Sequence, residues 1–204
     1  MGQHDSVLHD GLNRTDRRKL RTRAAIIDAA ARQLESKPWT EIAVSTVAED
    51  ADVAVGTVYN HFVDAGELVS ETAQHLVAPI ETVADASDAV GPSARLHELL
   101  VAVAALSSGD RTWCRRMRNL DRVGDRECQR LVSACNSQWD SFVVITLTAL
   151  LRSTIDLGAN ADFESADAST VARLMKVVVE SAEGRYRSTT ASNVGREHDI
   201  ALPA

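Results

Sequence analysis

From Val55 to His61 the chain runs valine, glycine, threonine, valine, tyrosine, asparagine, histidine, and these types suit recognition of duplex DNA. A helix that reads base edges needs small or polar groups near its N-terminus and flanking donors that hold phosphates. Val55, Gly56 and Thr57 meet the first need: Gly56 lets the backbone come close, and a valine or threonine methyl can meet a thymine methyl. Tyr59 and His61 meet the second, because a phenol hydroxyl and a neutral imidazole N–H both donate to phosphate oxygen. The Asn60 amide suits either task, since it can pair bidentately with adenine. The competing reading makes Tyr59 and His61 an ordinary surface pair, because short motifs are weak alone.

Such residues read DNA only when a rigid scaffold presents them, and the flanking sequence supplies one. Leu20, Ala24, Ile27, Ala31 and Leu34 recur at steps of four and three, which predicts a helix from Asp16 with Asp28 and Arg32 paired on its other side. Pro38 is expected to stop it. Val44, Val47, Ala48 and Ala51 mark a second, short helix, and Val53 begins a turn into a third, Val55 to Phe62, buried through Val58 and Phe62. Asp64 followed by Glu67 is a capping box, so a fourth helix should start at Ala65 and run past Leu68, Ala73, Leu76 and Ile80, bending at Pro79.

A formal charge of -7 argues against a polyanion partner for the chain as a whole. Its distribution reverses that locally. Arg14, Arg17, Arg18, Lys19, Arg21 and Arg23 crowd the start of the first helix against Asp16 alone, forming a basic arm in which Arg17 and Arg21 are candidate phosphate contacts. Arm, short helix, turn and second helix in this order form the plan of a helix-turn-helix.

With 204 residues, 45% hydrophobic but only 4% aromatic, the chain predicts an all-α fold with an aliphatic core. Asp85 to Ser93 reads as a connector; helices follow at Ala94–Ser107 and Thr112–Asp121, then one long helix from about Arg126 to Leu157, and a last one from about Ala168 to Tyr186. Residues 1–15 are expected to be a disordered tail, 16–66 the DNA-binding domain, 67–84 a linking helix and 85–204 a second domain. The polar N-terminus lacks an apolar leader and Phe142 to Leu151 is too short to span a bilayer, so a cytoplasmic, nucleoid-associated protein is expected. Cys114, Cys128 and Cys135 form no C-x-x-C pair. Cys128 and Cys135, seven apart on one helix face, could serve a redox- or metal-responsive switch or be buried structural thiols. No P-loop, H-E-x-x-H, G-x-S-x-G or dinucleotide fingerprint is present, so no catalytic residues, metal site or cofactor are assigned.

Ile26-Ile27-Asp28-Ala29-Ala30 with Leu34, Trp39, Val47 to Ala51, Val53 to Phe62 and Glu67-Leu68 together resemble the N-terminal domain of the TetR family of repressors. The resemblance implies three DNA-binding helices, a fourth leading to a larger helical domain, and a homodimer joined by the last two helices. It places Val55, Gly56, Thr57, Tyr59, Asn60 and His61 at DNA-contact positions, with Ser45 near the backbone. It also implies a palindromic operator and a small-molecule effector, largely apolar, held by His97, Trp113, Met117, Trp139 and Phe142. The chain departs from the pattern at several points. Pro38 replaces a helix-ending glycine, Ala43 and Ala54 replace hydroxyl N-caps, Asp52 replaces the turn glycine, and Ala65 stands where a phosphate-binding lysine is common.

Overall fold

The Asn13 side chain accepts the Asp16 N–H at 2.9 Å, and this N-cap winds the basic run into the first turns of α1 (Arg14–Gln33). The computed structural model describes residues 13–86, 90–139 and 141–159, and every regular element in them is helical. After α1 come a single 3-10 turn (Trp39–Glu41), α2 (Val44–Asp50), α3 (Val55–His61), α4 (Ala65–Asp85), α5 (Pro92–Gly109), α6 (Arg111–Asn119), α7 (Arg122–Cys135) and α8 (Ser141–Gly158). Among the described residues no helix is long and apolar enough to cross a membrane. Residues 1–12 of the expected 1–15 tail and the expected last helix, about Ala168 to Tyr186, lie outside the described residues, whereas Arg14 and Thr15, placed in the tail by sequence, already belong to α1 behind the Asn13 cap.

The apolar side chains sort into two cores. Ile26, Ala29 and Ala30 of α1, Val47 and Ala48 of α2, Val58, Phe62 and Leu68 form the smaller one, which fixes the angle between α2 and α3. The larger one joins Val77 and Ile80 of α4 to α5, α6, α7 and α8 through Leu100, Met117, Val132 and Leu151. Ala31 of α1 and Leu34 at its C-cap belong to this second core, so α1 contributes to both. The predicted apolar face of α1 is therefore rotated and shortened: Leu20 and Ala24 are exposed, and burial on α1 begins at Ile26.

Side-chain partners also differ from the local expectation. Arg32 donates to the Asp50 carbonyl at 3.1 Å and Asp28 faces His75 at 3.4 Å, so long-range partners displace the expected Asp28–Arg32 pair. α1 ends at Gln33, before Pro38, which instead precedes the 3-10 turn. α4 runs unbroken through Pro79. The predicted long helix from Arg126 to Leu157 is two helices. At Asn136 the backbone turns extended and its side-chain oxygen accepts the Gln138 N–H at 2.9 Å, an Asx turn that competes with helix continuation.

Between α2 and α3, Asp52 occupies the left-handed region at φ 54°. The Val53 N–H bonds the Ala48 carbonyl at 2.9 Å across this turn, which holds the conformation in place. A β-carbon is disfavoured there and glycine is not, while glycine also loosens the unfolded chain. Asp52→Gly is thus expected to raise stability by about 0.5–1 kcal/mol, seen as a higher urea midpoint at unchanged slope. A lower midpoint would show that the aspartate side chain contributes more than its backbone strain costs.

Candidate nucleic-acid interface

Val58 and Phe62 are 1% and 2% exposed, and they pin one side of α3 so that its opposite side faces outward. Val55 and Tyr59, one turn apart, are 41% and 52% exposed, and Gly56 and Asn60 form a second exposed row beside them. Thr57 and His61 are half-buried at its edge. Ser45 at the start of α2 is exposed, as are Arg17 and Arg21 on the first turns of α1. Every residue singled out for DNA contact in sequence therefore lies wholly or partly on the surface, on α1, α2 or α3.

The helices that carry these residues are held differently. Neither Ala43 nor Ala54 offers a side chain to cap α2 or α3. The start of α4, by contrast, is capped: Asp64 Oδ1 accepts the Glu67 N–H at 2.8 Å, the first half of the expected capping box, while the Glu67 carboxylate reaches one residue further back and accepts the Val63 N–H next to the end of α3.

Arg23 differs from its place in sequence. It belongs to the basic run, yet it turns inward. Its Nη1 donates to the His61 carbonyl at the end of α3, its Nε and Nη2 donate to the Glu71 carboxylate of α4, and its guanidinium lies 4.3 Å over the Phe62 ring. It thus ties α1, α3 and α4 together beneath the exposed row. The signal available in sequence was Glu67 and Glu71, an acidic pair one turn apart on α4.

In the larger half, Trp113 and Met117 are core residues, 5% and 0% exposed, and the Trp113 indole N–H donates to the Leu76 carbonyl of α4 at 2.7 Å. Trp139 is buried after the Asn136 turn, His97 is half-buried on α5 with Nδ1 unpartnered, and Phe142 lies in α8. A cleft of about 220 Å³ opens between α4, α5 and α7, walled by Glu81, Asp85, Arg95, Leu99, Leu131 and Cys135. Its wall includes none of His97, Trp113, Met117 and Trp139 among the described residues.

Burial pushes the Cys128 thiol up to about 12, and Cys114 and Cys135 up to about 11. All three are protonated and weakly nucleophilic at neutral pH, which does not favour a thiol switch. Among the described residues no group of three or more His, Cys, Asp or Glu is placed to hold a metal ion.

Residues 26–72 match the profile of the bacterial regulatory proteins, tetR family. A search of curated proteins finds no match. Solved structures share the fold. A TetR-family regulator from Rhodococcus sp. is 19% identical, with 78% of this chain and 98% of that one covered at a TM-score of 0.56. NalD, the secondary repressor of the MexAB-OprM multidrug efflux pump in Pseudomonas aeruginosa, is 19% identical over 77% of this chain and 95% of its own, at 0.53. A TetR-family regulator from Haemophilus influenzae is 14% identical over 78% and 96%, also at 0.53.

Proposed function

By its residues 26–72 the chain belongs to the TetR family of bacterial regulatory proteins, DNA-binding transcription factors rather than enzymes, and on that premise we propose a dimeric repressor released from a palindromic operator by a small-molecule effector. The observation that carries this reading is the exposed row of α3, anchored from behind by Val58 and Phe62, in a domain whose α1 also exposes Arg17 and Arg21. One such head contacts few base pairs. A two-fold pair places two of them roughly 34–36 Å apart, one turn of duplex, on a palindrome.

In this reading residues 16–66 are the DNA-binding domain, 67–84 the link and 85–204 the effector and dimer domain. Val55, Gly56, Thr57 and Asn60 meet base edges, while Tyr59, His61, Ser45, Arg17 and Arg21 meet the phosphates. The effector enters the cleft between α4, α5 and α7, where Leu99 and Leu131 contact its apolar part and Arg95, Glu81 and Asp85 its polar part. α6 carries the response to the head through three side chains: Trp113 to the Leu76 carbonyl, Arg116 to the Glu35 carboxylate, and Asn119 to the Leu34 carbonyl at 2.7 Å. An effector that favours a different seat for α6 then shifts α1 and α4 and changes the spacing of the two heads.

The test is selection of a target from random duplexes, followed by titration against salt. A palindrome should emerge, with affinity falling steeply as salt rises. Tyr59→Ala and His61→Ala should weaken every duplex alike, whereas changes at Thr57 should alter base preference. Recovery of no sequence above background would overturn the reading.

A further inference from the structure

We propose that α3 recognises thymine 5-methyl groups, seated against Val55 and Thr57 over the bare backbone at Gly56. This rests on the DNA-reading role above and names the base feature that is read.

The first observation is chemical. α3 carries no Arg, Lys, Gln, Asp or Glu, so neither the bidentate arginine–guanine contact nor a carboxylate–cytosine contact can come from it. The thymine methyl is the apolar group that base pairs present in the major groove. α3 offers apolar surface to match: Val55 is 41% exposed near the helix start, where a recognition helix meets base edges, although Val58 is packed in the core.

The second observation is an unexplained glycine. A β-carbon built on Gly56 meets no atom within 4 Å, and Gly56 is not among the positive-φ residues. Neither packing nor backbone geometry requires a glycine, and alanine is the better helix former. The missing side chain matters only to something that approaches from outside, closer than a β-carbon allows. A methyl on a base edge, flanked by the methyls of Val55 and Thr57, is of that size and polarity. Asn60, exposed further along the same helix, then faces the N6 and N7 of an adenine.

The experiment uses the full chain and the duplex obtained by selection. Each thymine is replaced in turn by deoxyuridine, which removes only the methyl. One or two positions in each half-site should lose roughly three- to tenfold in affinity. At those positions Val55→Ala should bind the thymine and uracil duplexes almost equally, a direct measure of the pair. Gly56→Ala should melt no lower than the parent yet bind at least tenfold more weakly. Uracil at every position with less than a twofold change, or Gly56→Ala with unchanged affinity, overturns the proposal while leaving the DNA-binding reading intact. If no duplex is selected, the reading beneath it falls and the proposal falls with it.

Discussion

Arg23→Ala is expected to lower stability by about 2–4 kcal/mol and DNA affinity more than tenfold, with no change in the salt dependence of binding. α3 spans only Val55–His61, too short to hold its shape without tertiary contacts, and its last carbonyls have no partner inside the helix. Arg23 supplies one partner at His61, and its two-pronged pairing with Glu71 fixes the distance from α1 to α4. Its stacking over Phe62 adds about 0.5–1 kcal/mol, the range for partly exposed pairs. The side chain is 28% exposed, so solvent screens the ion pair and most of the loss comes from the hydrogen bonds.

Arg23→Lys separates charge from geometry: an ammonium can face Glu71, but it cannot also reach the His61 carbonyl and stack flat on Phe62. It should recover less than half of the lost stability. Urea unfolding and binding to the selected duplex read both effects. Loss of affinity with stability unchanged, and a shallower salt slope, would mean that Arg23 contacts phosphate instead of positioning α3.

Arg23 also shows where sequence stops informing. Its type and its place in a basic run were visible; its direction was not, because that depends on where α4 brings Glu71. What was legible was local. Val58 and Phe62 announce the buried side of α3 by their spacing, and Asp64 with Glu67 announces the start of α4, because both signals act within one or two turns. The break at Asn136 was local too, but apolar residues on both sides of it mimic one continuous face. The cleft was illegible for the opposite reason. Glu81, Arg95 and Leu131 come from three helices, and the large side chains that suggested a pocket, Trp113 and Met117, are used to fill the core.

Gly158→Ala is expected to cost about 2–3 kcal/mol, the upper part of the usual range for overpacking, although it adds a single methyl. A β-carbon there would lie 2.5 Å from the Ser107 carbonyl oxygen, 2.7 Å from Cys114 Sγ and 2.8 Å from Ser107 Cβ. The end of α8 thus presses on the end of α5 and the start of α6 together, and the closest atom is backbone, which cannot rotate away. Gly124 is the milder case: its β-carbon would meet the Met117 carbonyl at 2.9 Å, but its next neighbour, Arg152 Nη1 at 3.0 Å, ends a flexible side chain. Gly56, with no neighbour within 4 Å, should respond with the opposite sign of stability change. The three alanine variants should therefore rank Gly56, Gly124, Gly158 from most to least stable by urea midpoint, and a Gly158 variant as stable as the parent would overturn the order. Because α6 carries Trp113, Arg116 and Asn119 to α4 and α1, the effector response proposed above requires the Gly158 variant also to change the coupling between the cleft and DNA affinity, at a site remote from α3.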